Sequence, residues 1–398
     1  MRVEWKKLHS IVKSISTGLN PRSNFILNED GASLYYVTVK EITTNKVVFS
    51  SSTDKITEQA KLIINNRSKL AKGDILFSGI GTIGKVAYVN ISTDNWDCSE
   101  SVFLIKPEKE IVNGKYLSYI LLSDVAKEQY EKGSAGSIMK GVRKASLENI
   151  LIPIPSLEEQ TRLVGILDTF TSAIDNLKEQ IAQRRKQYEH YRDKLLDLEG
   201  KEGVEMKTLG EVATIKVGPF GSLLHKKDYI KDGIPLVNPV HMINGKIEED
   251  CSFSVSNEMA KHLSSYRLKP EDIVFARRGE IGRCAIVTQR EDGYLCGTGS
   301  LIVRFDEKLH SKYMLYLFLS PFCRNYLEKS AIGGSMLNIN CTIVAQMRVP
   351  LPSLEEQSRI VSILDTFEAS IQNLEAQLEA REKQYEYYRE KLLTFERE

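Results

Sequence analysis

Two stretches of the chain place apolar residues at alternating steps of four and three. The first runs Leu163, Leu167, Phe170, Ile174, Leu177, Ile181, then Tyr188, Tyr191, Leu195 and Leu198; the second runs from Ile360 through Phe367, Leu378 and Tyr385 to Phe395. Charged residues fill the positions between. That spacing predicts a coiled-coil seam on a long helix, interrupted once in each copy by Arg184 or Arg381. Pro153 and Pro155 stiffen the approach, Ser156 is placed as N-cap and Glu159 completes an S-x-x-E capping box, with Ser353 and Glu356 in the same places later. A helix of about 42 residues would reach about 63 Å. The tyrosines sit on the stripe, so seam packing accounts for them better than base stacking.

The two stretches are copies of each other. Residues 155–199 (PSLEEQTRLVGILDTF…) and 352–396 (PSLEEQSRIVSILDTF…) match at about 28 of 45 positions, at an offset of 352 − 155 = 197. Shorter echoes precede each: LAKGDILFSGIGTIGKVAYV against LKPEDIVFARRGEIGRCAIV, and KYLSYILLS against KYMLYLFLS. The chain is therefore one unit used twice. It divides into a first globular domain over 1–153, a helix over 154–200, a second domain over 201–351 and a second helix over 352–398. The helices match closely and the domains have diverged. Each domain mixes short strands and helices, so the fold class is α+β: two α/β domains joined by two long antiparallel coiled-coil helices in a pseudo-twofold arrangement.

Composition narrows the function. Of 398 residues, 42% are hydrophobic and 27% charged, the balance of a globular protein rather than a disordered one. No apolar run is long enough to span a bilayer, and the N-terminus has no signal-peptide core, which points to the cytoplasm. The six cysteines lack C-x-x-C spacing, which argues against zinc knuckles. Net charge is +1, but it is segregated: 21 − 16 = +5 over 1–153, 20 − 17 = +3 over 201–351, 7 − 9 = −2 over 154–200 and 6 − 11 = −5 over 352–398. Basic domains on acidic helices suit contact with a polyanion through the domains and with protein or solvent through the helices.

Gly79-Ile80-Gly81-Thr82-Ile83-Gly84-Lys85-Val86 resembles a nucleotide-binding loop, but Val86 supplies no hydroxyl for magnesium and a strand-like run follows. A strand–glycine turn–strand element fits better, carrying Lys85 in one copy and Arg277, Arg278 and Arg283 in the other toward a tip suited to a DNA backbone. Two further loop pairs are candidates. One holds Lys140, Arg143 and Lys144, with Asn338 and Asn340 opposite; the other holds Asn20 and Arg22, with Lys216, Lys226 and Lys227 opposite. Basic and amide side chains there can meet phosphates and base edges. Neither H-E-x-x-H nor G-x-S-x-G occurs. Asn238-Pro239-Val240-His241 falls short of an adenine-binding N-P-P-[YF] element, and no glycine-rich turn opens a helix for S-adenosylmethionine. No catalytic residue, cofactor or metal site is assigned.

A strand ending in two prolines, then S-L-E-E-Q and a heptad helix, then the whole unit again, resembles the DNA-specificity subunit of type I restriction–modification enzymes. I-P-I-P-S-L-E-E-Q (152–160) and V-P-L-P-S-L-E-E-Q (349–357) stand where the family has I-P-L-P-P-L-x-E-Q, and G-x-I-G-[KR] occurs in both halves. Ser156 and Ser353 replace a family proline. The resemblance covers essentially the full chain. It implies two target-recognition domains, each reading half of a bipartite double-stranded DNA sequence across a gap set by the helices. It also implies two methyltransferase subunits that hold S-adenosylmethionine, ATP-driven restriction subunits, and no chemistry in this chain. A non-catalytic scaffold whose paired domains bind proteins is the alternative.

Overall fold

The computed structural model describes residues 3–22, 24–132, 141–220, 223–250, 253–278, 282–306, 309–330 and 339–396. The chain forms two compact units, Met1–Lys178 with Ala376–Glu398, and Glu179–Glu375. Each therefore contains one globular domain and one part of each long helix.

The first unit is built on a four-stranded antiparallel sheet in the order Val12–Thr17, Val102–Pro107, Ile75–Ser78, Val86–Tyr88. The run Val102-Phe103-Leu104-Ile105 is apolar throughout because alternate residues face opposite ways and both faces are covered. Phe103 and Ile105, with Ile15, Ile75 and Phe77, pack under the helix Gly114–Leu122. Val102 and Leu104 face Val37, Trp96 and Cys98 of a smaller sheet. A separate ribbon pairs Glu4–Lys7 with Leu151–Ile154, so the start of the domain is tied to the strand that leads into the long helix.

The second unit repeats this plan. Its sheet runs Ala213–Val217, Ser300–Phe305, Ile273–Ala276, Cys284–Ile286, and its ribbon pairs Glu205–Thr208 with Arg348–Leu351. In the first copy the glycine-containing segment joins two antiparallel strands as a hairpin, and in the second Ile273–Ala276 pairs antiparallel with Cys284–Ile286, as strand–turn–strand patterning predicts.

The long helices span Leu157–Leu196 and Leu354–Leu393, 40 residues each. In the first unit Phe170 stacks on Tyr388 with ring centroids 5.4 Å apart, and Lys178 pairs with Glu382 at 2.8 Å. In the second, Tyr191 stacks on Phe367 at 5.4 Å, the Tyr188 hydroxyl donates to Glu368 at 3.4 Å and Arg185 pairs with Glu375. Rising numbers on one helix meet falling numbers on the other within each unit, so the packed segments are antiparallel. The tyrosines pack in the seam. Arg184 lies over the Phe367 ring at 5.9 Å, which explains how a charge is accommodated on the stripe.

The helix starts differ from the expected capping box in one respect. Ser156 accepts from the Glu159 N–H at 3.3 Å and Ser353 from the Glu356 N–H at 3.2 Å, as N-caps do. The glutamates do not complete the box. Glu159 takes a bidentate contact from Arg162 at 2.6 Å, and Glu356 takes one from Arg359 at 2.7 Å. A two-pronged charge-assisted bond to a guanidinium three residues on outcompetes one neutral N–H.

The glutamine that follows forms the joint. Gln160 is fully buried; its oxygen accepts from the Asn113 N–H at 2.8 Å and its nitrogen donates to the Pro155 carbonyl at 2.9 Å. Gln357 does the same with the His310 N–H at 3.1 Å and the Pro352 carbonyl at 2.9 Å. Two turns further on, Asp168 receives Lys115 at 2.7 Å and the Tyr119 hydroxyl at 2.7 Å, while Asp365 receives Lys312 at 2.7 Å and Tyr316 at 2.6 Å. The hydroxyls of Tyr116 and Tyr313 close the set on the carbonyls of Pro153 and Pro350. The echo KYLSY/KYMLY thus encodes an anchor.

Removing the Gln160 amide strands a buried N–H and buried carbonyls, so Gln160→Ala is expected to destabilise the first unit by about 1–3 kcal/mol. Both tryptophans, Trp5 and Trp96, belong to that unit. Urea titration followed by intrinsic fluorescence therefore reads it directly. A midpoint equal to wild type would show that the amide is not holding the joint.

Candidate nucleic-acid interface

In each unit the candidate loops gather at one edge of the four-stranded sheet. Thr17 and Ser78 end their strands beside the start of Val102–Pro107, with Phe103 opposite Thr17 and Val102 opposite Ser78. The early loop, the glycine hairpin and the segment before Val102 all leave from this edge. Gly79 donates to the Ser101 carbonyl at 2.9 Å, and the Val142 N–H donates back to the Gly79 carbonyl at 2.8 Å. In the second unit Arg277 donates its N–H to Gly299 at 2.9 Å and accepts from the Ile339 N–H at 2.9 Å. Sequence positions far apart thus meet at one edge. The Gln160 joint lies at the other end of the same central strand, where Asn113 follows Pro107.

Two glycines permit this convergence. A Cβ at Gly18 would collide with the Cys98 carbonyl, and one at Gly218 with the Gly297 carbonyl. Only a bare backbone lets the early loop lie on the segment beneath it.

The individual candidates fall into two groups. Arg22, Arg143, Lys226, Lys227 and Arg278 are exposed. Arg143 immediately precedes the short helix Lys144–Glu148, and Lys144 is exposed but forms an ion pair with Glu148 at 3.6 Å. The others have work inside the domain. Lys85, expected at a tip, is half-buried and donates its ammonium to the Val39 carbonyl at 2.9 Å. Lys216 donates to the Ser265 carbonyl at 2.7 Å and lies 4.4 Å from the Tyr266 ring centre. Asn20 donates to Glu100. Asn340 caps the helix Cys341–Ala345, its oxygen accepting from the Ile343 N–H at 2.9 Å. Arg277 and Arg283 are half-buried with their backbones in the hairpin. Lys140 and Asn338 lie outside the described residues. Asn238 and His241, from the segment weighed as an adenine-binding element, form a buried turn in which the His241 ring accepts from the Asn238 N–H at 3.2 Å.

Sequence reading missed Asp97. It lies beneath the early loop, buried, with one oxygen accepting from the Cys98 N–H at 2.8 Å and the other without a hydrogen-bond partner. Burial pushes its carboxyl up to about 6, against the pull of its bond to Cys98 and of Lys61. A lone aspartate in a strand carries no sequence sign of burial.

The domain family described as "Type I restriction modification DNA specificity domain" matches the chain twice, over residues 2–184 and 201–381. The specificity subunit of the type I restriction enzyme EcoR124I/EcoR124II of Escherichia coli is 32% identical over 267 residues, which is 63% of this chain and 64% of that protein, just under two thirds of its length. A putative type I specificity subunit of Haemophilus influenzae is 30% identical over 302 residues, 72% of this chain and 74% of the relative. Among solved structures, a chain from a study of complex assembly and conformational transition in the type I R-M system superposes with a TM-score of 0.62 at 20% identity, covering 98% of this chain and 96% of its own. The S subunit of a type I system from M. genitalium gives 0.55 at 16% identity, covering 100% and 97%. These two likenesses concern the fold.

Asp97 gives the edge a pH signature. Its ordinary value is 3.8, so between about pH 4 and 6 the folded unit keeps a proton that the unfolded chain has released. This group therefore makes stability fall as pH rises through that window and then level off. Asp97→Asn keeps the acceptor for Cys98 and removes the titration. Relative to wild type, the variant is expected to gain stability between pH 4.5 and 7, read again by tryptophan fluorescence in urea. A wild-type-to-variant difference that does not change with pH would contradict the buried carboxylate.

Proposed function

Because the chain belongs to the family of type I restriction–modification DNA specificity subunits, we propose that each globular domain reads one half of a bipartite DNA target. The methylating and restricting chemistry would reside on partner subunits. The observation that carries this reading is the contrast between the two copies. The joint between domain and helix recurs in both copies, with Gln160 and Gln357, Lys115 and Lys312, and Asp168 and Asp365 in matching places, whereas the loops at the sheet edge differ in charge and side chain. Surfaces that meet two copies of one partner must match, and surfaces that read different half-sites must not. The exposed Arg22, Arg143, Lys226, Lys227 and Arg278 are the contacts this reading favours for DNA. The helices, equal in length and in seam, would receive two methyltransferase subunits and set the length of the unread gap, with restriction subunits completing the complex.

Exchange of residues 201–351 for the matching domain of a relative is expected to move one half-site of the methylated sequence and leave the other unchanged. Methylome sequencing of a host carrying the chimera reads the outcome. A chimera that supports methylation but alters both half-sites would contradict independent reading. A heptad added to both helices, between Ile181 and Tyr188 and between Leu378 and Tyr385, adds about 10.5 Å of helix. It is expected to favour a gap about three base pairs longer, with weaker binding because the second half-site also rotates. Methylation across a library of gap lengths measures this. An unchanged preferred gap in a folded, active variant removes the helices as the ruler.

A further inference from the structure

The sheet edge of the second domain carries large apolar side chains in water. Phe220 is 60% exposed and Val240 is 59% exposed. They belong to separate segments that rest on one short stretch, Gly297-Thr298-Gly299. The Thr298 hydroxyl donates to the Pro219 carbonyl at 2.9 Å, which pins the residue before Phe220. A Cβ at Gly297 would sit 2.2 Å from the Asn238 side-chain oxygen, and one at Gly299 would sit 3.7 Å from Pro239. The turn Pro239–His241, which holds Val240, therefore lies against the same backbone. The N–H of Arg277 also bonds Gly299, and the next residue, Arg278, is exposed. Leu223, whose N–H donates to the Phe220 carbonyl at 3.3 Å, is exposed too, and the exposed Lys226 and Lys227 follow it.

The first domain has polar residues in the matching places. Thr17 and Val217 both face the second residue of the central strand, and Val37 and Val237 both pair with a cysteine, so Asn20 corresponds to Phe220 and Lys40 to Val240. Asn20 donates to Glu100, and Lys40 is exposed. Single apolar side chains on a surface are ordinary, but several together with a basic rim mark a contact surface. The exposed Lys226, Lys227 and Arg278 suit phosphates, so a DNA duplex complements this edge in charge. Among the groups that base pairs show in the major groove, the thymine methyl is the apolar one. Phe220 and Val240 are each about two-fifths covered by their own domain. They offer a face to such a methyl group rather than a projecting wedge that parts a base step.

We propose that Phe220, supported by Val240, packs on a thymine methyl group in the half-site of the second domain and thereby selects a T·A pair there. This rests on the functional reading above and adds to it one specificity-determining contact, which the first domain lacks.

The test is DNA binding by the full-length chain assembled with type I modification subunits, read by anisotropy. Each thymine of the half-site assigned by the domain exchange is replaced in turn by deoxyuridine, which lacks only the methyl group. At one position the wild-type complex is expected to bind about fourfold more weakly, the worth of one methyl group withdrawn from water. Phe220→Ala should bind the thymine and uracil duplexes equally at that position, and Phe220→Leu should keep part of the difference. Val240→Ala should shrink the same difference, which gives a second reading. Deoxyuridine in the other half-site should affect wild type and Phe220→Ala alike. A wild-type complex indifferent to deoxyuridine throughout the half-site overturns the proposal, as does a Phe220→Ala complex that keeps the wild-type ratio. Loss of affinity by Phe220→Ala with that ratio intact would make the residue a wedge or a general contact. Failure of Phe220→Ala and Val240→Ala to assemble would make the patch a subunit contact. Either outcome overturns the proposal. A wild-type complex with no preference for its methylated sequence would overturn the functional reading as well, and only that result touches both.

Discussion

A buried primary amide must find a donor for its oxygen and an acceptor for its nitrogen, and it can do so in few orientations. Gln160 and Gln357 meet that demand with main-chain groups on both sides of a junction: the carbonyl just before the long helix and the N–H that opens the helix beneath the sheet. The two elements are thereby held at a fixed angle by directional bonds, where apolar contact alone would let them slide. The lysine–tyrosine–aspartate sets on Asp168 and Asp365 extend the same constraint along the helix. Everything at the far edge of each sheet inherits its orientation from this joint.

That joint also explains which parts of the duplicated unit stayed alike. A side chain bonded to main chain constrains its own identity and the local path of the backbone, but it leaves the loops at the other end of the strands free. Val102–Pro107 carries the constraint at one end and loops of different chemistry at the other. The same separation allows Arg277, Arg278 and Arg283 in one copy where the other has Ser78 to Lys85 with a single lysine.

Periodicity made the helices legible from the sequence, because a 4-3 seam involves many residues and tolerates an Arg184 or an Arg381. The strands and hairpins were legible for the same reason, and so were the serine N-caps. The roles of single polar residues were not. Nothing near Gln160 in sequence announces a bond to Asn113, 47 positions earlier, and Lys85 looks the same on paper whether it points to solvent or to the Val39 carbonyl. Glu159 shows the limit of local rules: the capping-box pattern is present, yet Arg162 offers its carboxylate a stronger partner.

The division of the chain has a consequence for its synthesis. The second unit is continuous, but the first is completed by Ala376–Glu398. Tyr385 and Leu393 belong to the first unit's core, and Leu392 and Phe395 pack against it. When the ribosome has released residue 178, that core is still missing one wall, and the whole of the second unit must be translated before the wall arrives. At roughly 5–20 residues per second, a delay on the order of 10–40 s separates the two events. The nascent first domain must wait with part of its apolar surface open until Ala376–Glu398 arrives to close it.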